Sequence, residues 1–109
     1  MKYLHQELAS GRWQKLSLME QMANIGSEIG RAINWKQKDF KTATGAYYRA
    51  LELFELTLAD PKNRKRLKEV SRSKEMFGDW FLDINQYRST AEEWQKYFLQ
   101  FNYAVRINR

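Results

Sequence analysis

Apolar residues recur at three- and four-residue intervals along most of this chain, with few turn residues between them. That period marks helices that bury one face. From Trp13 to Trp35 the face is Leu18, Met22, Ile25, Ile29 and Ile33. Ser17-Leu-Met-Glu20 has the spacing of a capping box, in which the serine and glutamate reciprocally satisfy free amides. Ala23, Gly26 and Gly30 form a small-residue edge beside the face. Each glycine costs a helix interior about 1 kcal/mol relative to alanine. The edge therefore predicts close approach of a neighbouring helix, with a ligand-contact groove as the alternative use.

A short polar connection follows, with Asp39 or Thr42 as cap. A second helix then runs to about Ala59 on Ala43, Tyr47, Ala50, Leu51, Phe54 and Leu58. Ala46 and Ala50 are spaced to receive the glycine edge. Asp60-Pro61 reads as a cap and a first-turn proline, predicting a third helix from Pro61 to about Asp83. Leu67, Val70, Phe77 and Phe81 keep its register. Lys74 falls on an otherwise apolar position, where it either snorkels to the rim or yields the inner site to Ser73. Residues 85–89 form a loop. Thr90-Ala-Glu-Glu93 is a second capping box, opening a fourth helix on Trp94, Phe98, Phe101 and Val105. Residues 1–12 are an N-terminal extension or a short helix in which Tyr3, Leu4 and Leu8 pack across the others, ended by Ser10-Gly11. No strand-type alternation with hairpin turns and no internal repeat is present. Four amphipathic helices with short loops predict one all-α domain over 1–109, an antiparallel up-down-up-down four-helix bundle.

Composition narrows the chemistry. The chain has no cysteine, which excludes a disulfide framework, a thiolate metal site and a cysteine nucleophile. No run approaches the roughly 18 apolar residues of a membrane span, and the first residues lack a signal-peptide pattern. The expectation is a cytoplasmic, bacterial-type protein with no membrane partner. His5 is the single histidine. A di-iron bundle site needs two Glu-x-x-His pairs, and Glu52-Leu-Phe-Glu55 is followed by none, so its glutamates read as a solvated helix face. A Ser/His/Asp triad would have to use His5, without a nucleophile turn. No glycine-rich phosphate loop follows a strand. The pairs Glu92/Glu93 and Asp79/Asp83 read as capping and surface charge. Catalytic residues, metal ligands and cofactors are therefore all expected to be absent, and the protein is not expected to be an enzyme.

Charge changes the picture most. Residues 62–74 hold seven cations and one anion, a surplus equal to the +6 of the whole chain. The cations would crowd the first turns of the third helix, where its dipole disfavours them by about 0.3–1 kcal/mol per exposed group. Local stability does not account for them, whereas an anionic partner does. Arg64, Lys68 and Arg72, four apart, predict one exposed stripe with a rise of about 6 Å between neighbours. Lys62, Lys65 and Arg66 complete the candidate nucleic-acid-binding set. Such a stripe fits phosphates of RNA or DNA without reading bases. A solvated face with Glu69 and Glu75 as counterions is the plainer alternative. Sixteen of 109 residues are aromatic. Tyr97 and Tyr103 point away from the fourth helix's inner face, and Trp13, Trp35 and Trp80 fall near helix ends or flanks. This excess predicts a protein interface, and with it a homo-oligomer.

Gln21-Met-Ala-Asn-Ile-Gly-Ser-Glu-Ile-Gly30, then Phe40 and Ala46-Tyr-Tyr-Arg-Ala-Leu-Glu-Leu-Phe-Glu-Leu56, resemble a bacterial four-helix-bundle group. It comprises the proteins of 23S ribosomal RNA intervening sequences and the accessory variability determinant of diversity-generating retroelements. The former usually carry an Asn-Ile-Ala-Glu-Gly-like run, from which Asn24-Ile-Gly-Ser-Glu28 departs. The retroelement branch implies a basic, ring-shaped oligomer that binds nucleic acid and a reverse transcriptase, and the resemblance brings no catalytic residues. The runner-up resemblance is to the helical HEPN nucleases and nucleotidyltransferase partners. Their nucleases place a histidine shortly after an arginine, and no histidine follows any arginine here. The expected function is a non-catalytic, oligomeric scaffold that contacts nucleic-acid phosphates through a basic helix. The alternatives are a module docking an acidic protein and an inactive HEPN-like protein.

Overall fold

Capping side chains set where the helices begin. The Ser17 amide donates to Glu20 Oε1 at 3.0 Å, and the Glu20 amide donates to Ser17 Oγ at 3.1 Å. That reciprocal pair opens α1, Leu18–Trp35. Asp39 caps α2, Phe40–Ala59, by accepting from the Lys41 amide at 3.2 Å. Thr42 is not the cap: its hydroxyl donates to Asp39 at 2.8 Å. Thr90 and Glu93 make the second reciprocal box before α4, Ala91–Ile107. The structure is a computed structural model that describes residues 11–84 and 86–107. The expected short helix around Tyr3, Leu4 and Leu8, and His5 with it, lie outside the described residues.

The described residues form an all-α four-helix bundle without strands. Packing α1 against both α2 and α4, and α2 against α3, makes one core. Met22, Ile25, Ile29 and Ala32 supply α1's share; Ala43, Ala46, Tyr47, Ala50, Leu53 and Phe54 supply that of α2. Trp94, Phe98 and Phe101 enter from α4. The remaining helix, α3, spans Leu67–Phe81 and buries Val70, Phe77 and Phe81. Its contact with α4 is aromatic, with Phe77 and Trp94 edge to face at 5.5 Å between centroids.

Several expectations need correction. The third helix does not begin as α-helix at Pro61. Pro61–Arg66 is a 3-10 segment, and Arg66 breaks the backbone (φ −115°, ψ 11°) before α3 begins. The segment Pro-Lys-Asn-Arg-Lys-Arg has no apolar stripe to lay on the core, and its one inward side chain is Asn63. Leu67, at that break, is exposed. Of the two alternatives for the inner site of α3, Ser73 holds it, and Lys74 lies 3.7 Å from Glu55. The glycine edge receives α4 rather than α2: a Cβ on Gly26 would stand 2.9 Å from Phe98 Cβ, while Gly30 has open space. Trp13, expected at a flank, is only 2% exposed and belongs to the core.

Candidate nucleic-acid interface

The basic segment is held by a buried polar cluster that joins three parts of the chain. Trp13 Nε1 donates to Thr57 Oγ1 at 3.0 Å. Gln21 Nε2 donates to Trp13 O at 3.0 Å and to Asp60 Oδ2 at 2.8 Å. Asn63 Nδ2 donates to Gln21 Oε1 at 2.8 Å and to Thr57 O at 2.9 Å. Gln21, Thr57, Asp60 and Asn63 are all buried, and among the described residues no buried side-chain polar atom lacks a partner. Burial raises the Asp60 carboxyl's pKa, but hydrogen bonds from Lys62 and Gln21, with the Lys62 charge, outweigh it and hold that pKa below the ordinary value. Sequence reading missed this cluster because Gln21, Thr57 and Asn63 interrupt apolar patterns rather than form one. Within a charged run, Asn63 gave no periodic signal.

The six candidate cations divide by their partners. Lys62 Nζ bonds Asp60 and donates to Gln14 O at 2.8 Å, so its charge is used inside the fold. Arg66 pairs with Glu69, Nη2 to Oε2 at 2.7 Å. Arg64, Lys65, Lys68 and Arg72 are exposed and have no ion pair or hydrogen bond among the described residues. Lys68 and Arg72 are one turn apart on α3. Arg64 belongs to the 3-10 segment, which has a different pitch, so the expected three-member α-helical stripe is continuous only from Lys68 to Arg72.

An aromatic side chain stands beside that pair. Leu67, Lys68, Ser71, Arg72, Glu75 and Tyr87 line one open groove of about 470 Å³. Tyr87 is 42% exposed. Its position is set from below by buried Asp79, whose carboxylate accepts from the Gln86 amide at 2.8 Å and the Tyr87 amide at 3.1 Å. Asp79 is thus the anchor of the connection between α3 and α4, where helix capping and surface charge were expected. Arg72 also borders a second cleft of about 360 Å³ between α3 and α4, lined by Met76, Trp94 and Tyr97 among others. On that side Tyr97 Oη donates to Glu69 Oε1 at 3.1 Å and accepts from Ser73 Oγ at 3.1 Å. Burial, with the nearby Glu69 charge, raises the Tyr97 phenol's pKa, so the phenol stays protonated at neutral pH. Among the described residues no group of three or more His, Cys, Asp or Glu side chains is placed to hold a metal ion. No described helix is long and apolar enough to cross a membrane. No family model matches the chain, and no significantly similar curated protein or solved structure was found.

Proposed function

We propose that this is a non-catalytic, self-associating binding protein that holds nucleic acid by its phosphates, in the cytoplasm. The observation that carries the reading is the set of exposed, unpaired cations, Arg64, Lys65, Lys68 and Arg72, with Tyr87 sharing the groove of the last two. Cations that form no bond within the fold are available to displace counterions from a phosphate backbone. Arginine adds bidentate geometry to that attraction. A positioned aromatic ring beside them offers a stacking surface for an unpaired base, a sequence-tolerant contact. The reading therefore favours single strands over duplex. The resemblance of residues 21–30 and 46–56 to basic bundle proteins associated with RNA and retroelements points the same way.

The test is fluorescence anisotropy with labelled single-stranded and duplex RNA and DNA across a salt series. Binding should weaken steeply with salt. The charge reversals Lys68→Glu and Arg72→Glu together should abolish it, while the same change at Lys62 should chiefly lower stability. Absence of binding at low salt, with an acidic protein captured through the same cations, would replace nucleic acid with an acidic protein partner.

A further inference from the structure

The outer face of α4 carries apolar side chains that nothing in the described chain covers. Leu99, Tyr103 and Ile107 are 64%, 65% and 60% exposed and recur every four residues. At about 100° per residue they lie on the side of α4 opposite Trp94, Phe98 and Phe101, which fill the core. Charge on this face is ordered. Glu92 lies seven residues before Leu99 and Arg106 seven residues after it, both exposed and without a partner among the described residues. Seven residues are nearly two turns, so Glu92, Leu99 and Arg106 follow one line with a drift of about 20° per step. The two charges sit about 10.5 Å along the axis on either side of the leucine.

We propose that this face of α4 packs against the same face of a second copy of the chain, antiparallel, about a two-fold axis at Leu99. The charge order selects the occupant. Turning a copy about Leu99 sets Glu92 of each chain against Arg106 of the other, at both ends of the contact. Leu99 meets its own counterpart at the centre. Lys96 then falls opposite Asn102, and Tyr103 opposite Gln95, so no like charges meet. A parallel pairing would set Glu92 against Glu92 and Arg106 against Arg106. The patch is thus self-complementary in the manner of an isologous interface. One helix pair lies at the low end of interface sizes, so the dimer forms reversibly with concentration. This inference rests on the self-association in the proposed function and not on its phosphate contacts.

The mass of the full chain, followed by light scattering and sedimentation from micromolar to millimolar concentration, tests it. Wild type should approach twice the monomer mass. Leu99→Glu should leave a monomer. Glu92→Arg and Arg106→Glu alone should each weaken association by roughly tenfold or more, since each sets like charges together at both ends. The two combined should restore it. These positions are exposed, and circular dichroism with thermal melting checks that each variant folds. A wild-type monomer at every concentration overturns both this pairing and self-association. An oligomer indifferent to Leu99→Glu and to the charge exchanges overturns this surface alone. Neither outcome touches nucleic-acid binding, which Lys68 and Arg72 test separately.

Discussion

Two glycines of α1 separate packing from propensity. Gly26 and Gly30 lie in the same helix interior and carry a similar propensity cost, about 1 kcal/mol relative to alanine. Only Gly26 has a neighbour in the way, Phe98 at 2.9 Å from an added Cβ. Gly30→Ala should therefore raise stability by up to about 1 kcal/mol. Gly26→Ala should lower it, because overpacking costs about 1–3 kcal/mol and outweighs the gain. Urea unfolding of both variants checks the pair, and equal signs would show that α4 does not close on Gly26. Asp60 gives a pH-dependent counterpart. Its pKa is lowered in the fold, so the stability its ionised form contributes is full above the unfolded value near 4 and is lost as pH falls through the folded value. Asp60→Asn should cost about 1–3 kcal/mol at neutral pH. The gap from wild type should narrow at pH 3; a gap of constant size would rule out the ionised carboxylate as its source.

Capping explains which element boundaries were readable. Both Ser/Thr-x-x-Glu boxes close as expected because their partners lie within one turn of each other. Asp60-Pro61 was less decisive, since an aspartate cap and a first-turn proline suit a 3-10 start as well as an α-helical one. What chose between them was Asn63, drawn toward Gln21 and Thr57 from other parts of the chain. The connection after α3 has the same character. Asp79 holds the backbone of Gln86 and Tyr87 from inside the protein. Asp79→Asn keeps the volume but loses a charged acceptor worth roughly 1.5–3 kcal/mol. Amide exchange at Gln86 and Tyr87 should accelerate by about tenfold or more, while core amides of α1 change far less. Equal exchange in both proteins would mean that Tyr87 is positioned by something else.

Charge and apolar surface are distributed unevenly over the whole molecule. The chain's entire surplus lies in residues 62–74, yet two of the six candidate cations are committed to Asp60 and Glu69. The salt dependence of binding should reflect the four unpaired ones, losing about 0.7 per cation removed in the logarithmic slope for single strands. Neutralising Arg66 should change the slope less than neutralising Arg72. Equal slopes for those two variants would show that the Arg66 pair with Glu69 opens on binding. Aromatic residues divide likewise. Trp13 and Tyr97 answer to the fold, which removes them from the surplus first read as interface. Tyr87 and Tyr103 remain exposed and serve two separate proposals.

By itself the sequence determined the number of long helices, most of their inner faces and the two Ser/Thr-x-x-Glu caps. Those features depend on periodicity and on contacts within a turn, and both are local. It also located the basic surplus, because charge is a property of composition. Only the tertiary structure decided which cations are unpaired, that Asn63 and Asp79 are anchors, that Gly26 accepts Phe98, and that Tyr87 stands beside Lys68 and Arg72. Each of these depends on a partner distant along the chain or on a change of helical pitch. Residue spacing carries no trace of either until the helices pack.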